Sequence, residues 1–317
     1  MDQNTNQIIE SLLDEAEAKR ECLTCPSGES VQRALRRRVP AQIVSPVRGF
    51  FARATYWESL DRTEQALHIA RSYSRLHPAW VFCGPTAAAA HGLEVPRTML
   101  KRTYVASQMR SVRGPLVRVD SDLSDACVSA GVPVTGVLTS AVDCLRFGTF
   151  PEALAIADSA LRVIGISRSA FQDEVRARLW KKRGAAEARR VASYASALSE
   201  NGGESYARGV MIEEGFQIPR LQVEIPDPLE GGKMYRVDYL WGDELHPLVI
   251  GELDGRDKLA DPRMRHGLPM EAVLRNERTR ESRLSLTGAR IMRFTFADVL
   301  NRARFVHMLE TFGVPRA

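Results

Sequence analysis

Tyr235 to Lys258 reads Y-R-V-D-Y-L-W-G-D-E-L-H-P-L-V-I-G-E-L-D-G-R-D-K. Val237, Tyr239 and Trp241 alternate with Arg236, Asp238 and Leu240, the period of two that marks a strand. After a tight polar turn, Leu248 to Leu253 is a short apolar run of the kind found in a strand buried on both faces. Two neighbouring strands are predicted. Glu252 and Asp254 are two positions apart, so they point to one side with their Cα atoms roughly 7 Å apart. Asp238, on the neighbouring strand, would complete a three-carboxylate cluster. Ionised carboxylates are costly to bring together in a half-buried sheet unless a cation neutralises them. Hard divalent ions such as Mg²⁺ take oxygen ligands of this type. Asp238, Glu252 and Asp254 are therefore the candidate metal site. A competing reading makes Glu252 the start of a turn and Asp254-Gly255 its tip, because Asp-Gly is a common turn pair.

Outward from this hairpin, a helix is expected over Glu204 to Glu214 and a strand over Leu221 to Ile225. A charged helix from Ala272 to Leu286, a strand from Arg290 to Phe296 and a last helix from Ala297 to Phe312 follow the pair. Helix, three strands, helix, strand, helix is a compact α/β plan with a mixed sheet. Ser199 to Gly203 is the clearest linker-like break upstream of it, which sets a domain boundary at 199.

At the other end, Ile8, Ile9, Leu12, Leu13 and Ala16 fall on one helical face. Ser27 is placed to cap a second helix, Gly28 to Val39, with Glu29 in its first turn and Pro40 ending it. Val31, Ala34 and Leu35 face inward; Arg33, Arg36, Arg37 and Arg38 face outward. Ala41 to Ala52 reads as two short strands around Pro46 and Arg48-Gly49. Helix, turn, basic helix and hairpin predict a winged helix-turn-helix over residues 1–58, with Arg33, Arg36, Arg37, Arg38 and Arg48 as its DNA contacts. The bland alternative is a solvated basic face. Between the two ends, residues 59–198 predict an α/β module: a helix over Ser59 to Leu76, short strands and helices to about 145, then helices. His91 reads as the end of an alanine-rich helix, and Asp143 and Asp158 as structural hydrogen-bonders.

At 317 residues the chain has room for two or three domains. With 44% hydrophobic and 26% charged residues and no apolar run near the length of a membrane span, no membrane partner is expected. The N-terminal residues lack a signal-peptide pattern, so a cytoplasmic location is expected. Five cysteines, an odd number, argue against a disulfide framework. The lone Cys22-x-x-Cys25 lacks the second ligand pair of a zinc site, so reduced core thiols are expected. A net charge of +5 allows a polyanionic partner without requiring one.

Five ordered segments carry a resemblance: G-E-S-Y-A-R (203–208), R-V-D-Y-L-W (236–241), V-I-G-E-L-D-G-R-D-K-L (249–259), N-E-R-T-R-E (276–281) and G-A-R-I-M-R-F-T (288–295). Together they resemble the restriction-endonuclease-like domain of relatives of the Vsr mismatch-repair nuclease, within the PD-(D/E)xK superfamily, over residues 199–317. Thr86 to Leu93 and Val132 to Leu145 are similar to segments of bacterial AbiEi-like type IV antitoxins and transcriptional regulators. The resemblance implies a multidomain α/β chain: winged helix (1–58), middle AbiEi-like domain (59–198) and endonuclease-like domain (199–317). It also implies site roles. Asp238 matches the central metal-holding aspartate, Glu252 the first residue of the (D/E)-x-K element, and Glu204 an accessory acid. Asp254 stands where the lysine belongs, a departure from the pattern; Lys258 is placed to reach back into the site, and Arg256 or Arg278 to screen a phosphate. Two functions follow as expectations. The first is a Mg²⁺- or Mn²⁺-dependent DNA endonuclease in genome defence or repair. The second is an antitoxin or transcriptional regulator with a silent nuclease fold, whose partners would be DNA, a nucleotidyltransferase-type toxin and a second copy of the chain.

Overall fold

In a computed structural model, residues 3–243, 246–254 and 269–317 are described. They form a mixed α/β chain with several small sheets. In order these are α1 (Gln3–Ala18), β1 (Leu23–Thr24), α2 (Glu29–Arg38), β2 (Ile43–Val44), β3 (Phe50–Arg53), α3 (Ala54–Ser59), α4 (Arg62–Leu76) and α5 (Gly84–Ala90). Next come β4 (Thr103–Ala106), β5 (Ser111–Arg113), β6 (Leu116–Val119), β7 (Cys127–Ser129), β8 (Val132–Val134), α6 (Val137–Cys144), α7 (Phe150–Ile164), α8 (Arg168–Arg178) and α9 (Ala185–Tyr194). The last elements are α10 (Gly202–Glu213), β9 (Arg220–Pro226), β10 (Met234–Asp243), β11 (His246–Asp254), α12 (Met270–Ser285), β12 (Arg290–Thr295), α13 (Phe296–Leu300) and α14 (Arg302–Phe312).

Two compact units result, and neither begins at residue 199. One comprises Met1–Gly148 and Ala160–Ser193; the other comprises Thr149–Ser159 and Tyr194–Ala317. Residues 1–58 and 59–148 therefore fall in the same unit.

In the first unit, β1, β3 and β2 form an antiparallel sheet in that spatial order. Ile9, Leu13 and Ala16 of α1 pack with Val31, Ala34 and Leu35 of α2 and with Ile43 and Phe51 of the sheet. Ile8, expected on the same face, is exposed. Gly28, not Ser27, caps α2, and it supplies no side-chain hydrogen bond. A cap contributes typically about 1 kcal/mol; the three buried apolar residues on one face of α2 outweigh it in holding this short helix. The single helix expected over Ser59 to Leu76 is broken at Leu60, because the Asp61 side chain accepts from Glu64 N and starts α4. Ser167 caps α8 by accepting from Ala170 N. His91 ends α5, and its Nε2 pairs with the Thr135 carbonyl at 2.7 Å.

In the second unit the four-stranded sheet runs β12-β11-β10-β9. The β9–β10 and β10–β11 pairs are antiparallel, and β11–β12 is parallel. One face, with Tyr239, Trp241, Val249, Met292 and Phe294, packs with Ala207, Val210 and Met211 of α10 and Phe305 and Leu309 of α14. The other, with Val237, Leu240, Ile250 and Ile291, packs with Leu284 of α12. β11 is covered on both sides, which is why Leu248 to Leu253 reads as an apolar run rather than an alternation. Gly251 allows this packing: a Cβ there would lie 2.9 Å from the Trp241 ring. Residues 149–159 enter this unit through a second close approach. A Cβ on Gly209 would lie 2.6 Å from Pro151 Cα. Asp158, fully buried, takes two hydrogen bonds from the Arg208 guanidinium at 2.7 and 2.9 Å. It also accepts from Ser196 N at 2.7 Å, the structural role expected of it. Gly202 and Gly203 open α10 behind the cap Asn201, so the expected linker is the first turn of a helix.

Candidate functional site

β10 does not keep a simple alternation at Asp238. Val237 packs on the α12 side and Tyr239, two residues on, on the α10 side. The neighbouring strand makes the same change between Val223 and Leu221. Gln222 sits between them with φ +51°, a left-handed conformation that non-glycine residues rarely adopt. The faces of both strands thus exchange at the pair Gln222–Asp238, and Val237, Tyr239 and Trp241 do not share one face as their spacing predicts.

Asp238 lies at that change-over, half-buried. Its Oδ2 accepts from Leu253 N at 3.0 Å and its Oδ1 from Gln222 Nε2 at 3.4 Å. Gln222 Nε2 also donates to Glu204 Oε2 at 3.3 Å, so one amide joins two carboxylates. Glu204 is buried at the first turn of α10 and takes Asn201 Nδ2 at 2.6 Å and Glu200 N at 2.7 Å. The β10–β11 ladder pairs Trp241 with Val249, Leu240 with Ile250 and Tyr239 with Gly251; beyond it, Asp238 reaches β11 through Leu253 N, the residue after Glu252.

Glu252 is 8% exposed and is gripped at both oxygens by Arg280 of α12, at 2.5 and 2.6 Å. The same guanidinium donates to the Arg236 carbonyl at 2.7 Å. Burial pushes the Glu252 carboxyl above the usual carboxylate range; Arg280 pulls it back, and the Asp238 charge adds to the upward push. Asp254 projects to the same side as Glu252 but is held by Arg293 of β12, whose Nε lies 3.1 Å from each carboxylate oxygen. The expected triad is therefore brought together in part. Asp238 is held beside Glu252 through Leu253 N, while Asp254 is drawn to a separate arginine. Among the described residues, no three His, Cys, Asp or Glu side chains form a group able to hold a metal ion. Lys258 and Arg256 lie outside the described residues. Arg278 is exposed, and it is Arg280, two positions on, that enters the site.

Arg280, Arg293 and Gln222 are the residues that sequence reasoning missed. The signal for Arg293 was present: a charge between Met292 and Phe294 in an apolar strand needs a partner. Arg280 stands in the quoted N-E-R-T-R-E segment, one of several charges on a polar helix, and nothing in its spacing singles it out.

On α2, spacings of three and four residues place Arg33, Arg36 and Arg37 on one exposed face. Arg36, Arg37 and the exposed Arg48, in the loop between β2 and β3, have no ion pair among the described residues. Arg33 pairs only loosely with Glu29, at 3.8 Å. Arg38, expected outward with the others, folds back onto α1, where it meets Asn6 and lies 3.4 Å from Glu10. Arg53 does the same, reaching Glu10, Asp14 and Glu17 at 2.8, 2.7 and 2.5 Å. The acidic face of α1 thus absorbs two arginines, and Arg36 and Arg37 on the outer face of α2 are left without an ion pair among the described residues.

The cysteines divide. Cys22, Cys83 and Cys144 are buried, and burial pushes the Cys22 thiol up to about 12. Cys25 and Cys127 are exposed, which corrects the expectation of core thiols for those two. All five are free.

No known protein-family profile matches the chain, and no solved structure matches it. Two curated proteins of Mycobacterium tuberculosis, described as uncharacterized protein MT2308 and uncharacterized protein Rv2248, are each 35% identical to it over 166 residues. That region is 51% of this chain and 59% of each relative, so the chain spans little more than half the length of the curated relatives it matches. Among the described residues no helix is long and apolar enough to cross a membrane.

Proposed function

We propose that this protein binds DNA through the outer face of α2 and the β2–β3 loop, as a transcriptional regulator or antitoxin would. In this reading the C-terminal α/β unit serves recognition or self-association rather than phosphodiester cleavage. The observation that carries it is the contrast in arginine use. Arg36 and Arg37 are exposed and without ion pairs among the described residues, whereas Glu252 and Asp254 already hold arginines. Free guanidinium groups on one helix face suit a phosphate backbone, and the affinity they supply depends on salt before it depends on sequence. A magnesium ion at Asp238, Glu252 and Asp254 does not fit these side chains as they stand. It would have to displace Arg280 from both oxygens of Glu252 and Arg293 from both oxygens of Asp254. A protein acting on DNA in this way is expected in the cytoplasm, with its own promoter and a nucleotidyltransferase-type toxin as candidate partners.

A second reading, a Mg²⁺- or Mn²⁺-dependent endonuclease, is favoured by one observation: Asp238 of β10 is bound to β11 at Leu253 N, next to Glu252. One experiment separates the two. Duplex DNA should be shifted by the wild type and by Asp238→Ala and Glu252→Ala, and only at higher protein concentration by Arg36→Ala/Arg37→Ala. Plasmid, linear and single-stranded DNA should stay intact with either metal. Metal-dependent cutting abolished by both carboxylate substitutions would replace the binding reading with the nuclease.

A further inference from the structure

The carboxylates of the central hairpin invite a cation, and the structure supplies one from the protein itself. We propose that Arg280 is the built-in counter-cation of the Asp238–Glu252 pair, filling the charge-neutralising place of a divalent ion and making the site independent of metal.

The argument starts from charge. Glu252 is nearly buried, and Asp238 Oδ2 is bound to the N–H of the next residue, Leu253, so two carboxylates share a partly desolvated sheet end. Such a pair is costly without a neutralising charge. Arg280 meets this demand in the way its shape allows. A planar guanidinium matches both oxygens of one carboxylate, stays charged at all relevant pH, and binds with fixed geometry. Both Glu252 oxygens are taken, and a further donation to the Arg236 carbonyl anchors the guanidinium to β10. Asp238 is satisfied from the protein too, by Leu253 N and Gln222. The neighbouring acids repeat the arrangement. Arg293 answers Asp254, and Arg283 of α12 answers Asp227, which the Tyr235 hydroxyl also reaches at 2.7 Å. The packing of α12 on this face of the sheet therefore brings its arginines to the acids of that face.

This deepens the binding reading of the C-terminal unit, and its test is independent of DNA. The full chain is unfolded thermally, with and without millimolar MnCl₂ or MgCl₂ at matched ionic strength, as wild type, Arg280→Gln, Glu252→Gln and the double variant. The wild-type midpoint should not respond to either metal. Arg280→Gln should melt lower by about 5 °C or more, because a buried charge is left unpaired. Mn²⁺ should restore part of that loss, and the double variant should regain stability without metal. An Arg280→Gln protein that melts like wild type, or one that Mn²⁺ does not rescue, overturns the proposal. Titration of Mn²⁺ into the wild type, followed by electron paramagnetic resonance, needs no variant to fold. No bound Mn²⁺ is expected, and binding that Glu252→Gln abolishes overturns the proposal. Weakening of the gel shift in Arg36→Ala/Arg37→Ala bears on DNA binding alone.

Discussion

On α2 and the β2–β3 loop, Arg36, Arg37 and Arg48 stand in solvent without an ion pair among the described residues. On α12 and β12, Arg280, Arg283 and Arg293 each hold a carboxylate: Glu252, Asp227 and Asp254. The residue type is the same and the use is opposite. Exposure decides between them at Glu252 and Asp227, whose side chains are buried or nearly so, whereas Asp254 is half-exposed. A guanidinium in water loses little by lacking a partner and keeps its donors for an incoming phosphate. One at a buried acid is matched to it, because removing either partner leaves an uncompensated charge. The count of basic residues therefore overstates how much of this protein can meet a polyanion.

The comparison breaks most readily at its buried extreme. Within the C-terminal unit, Arg208 and Asp158 have side chains 3% and 0% exposed. Arg208→Ala should cost about 3–5 kcal/mol in urea unfolding; a loss below about 1 kcal/mol would place the buried pair among ordinary surface contacts. At the exposed extreme, Arg36→Ala/Arg37→Ala should change stability by less than about 0.5 kcal/mol. It should also make the dependence of log DNA affinity on log salt shallower by about 2. An unchanged salt slope would show that the free arginines touch no phosphate. Arg33→Ala serves as the control, with a smaller change expected because Arg33 already lies near Glu29.

Asp227 offers the finest test. Burial raises its pKa, but hydrogen bonds from Leu229 N–H, the Tyr235 hydroxyl and Arg283 outweigh that and hold it down to about 2. The sign follows from linkage. A carboxyl whose folded pKa is depressed contributes stability that is present above the ordinary carboxylate value of about 4. That contribution is lost as pH falls toward 2. Asp227→Asn should flatten the stability–pH curve in that window while leaving its shape near neutrality unchanged. A curve that keeps its acid slope would remove Arg283 from the set of matched arginines.

Much of the local structure was legible. The apolar run from Leu248 to Leu253 marks a strand covered on both faces, and the helix and strand expected after it are observed. The last helix, expected over Ala297 to Phe312, is instead broken at Asn301, whose side chain accepts from Arg304 N and starts α14. Ser167 caps a helix as expected, and α2 stops before Pro40. Other features needed distant parts of the chain. The exchange of faces at Asp238 depends on Gln222, sixteen residues earlier, being left-handed, which no period-two pattern contains. Residues 149–159 read as part of a middle module, yet Asp158 is claimed by Arg208, fifty residues on, and joins the C-terminal unit. Arg38 has the helical position of an outward residue, but its side chain is long enough to turn back to Asn6 and Glu10.

By itself the sequence determined roughly where most strands and helices form and which face of α2 is apolar, because hydrophobic periodicity and turn chemistry act over a few residues. It also placed Glu252 and Asp254 on one side of a strand. Only the tertiary structure decided what neutralises them. Arg280 is twenty-eight residues from Glu252 and Arg293 is thirty-nine from Asp254. Which charge meets which across such separations is set by how α12 and β12 pack against the central strand. Spacing along the chain carries no record of that packing.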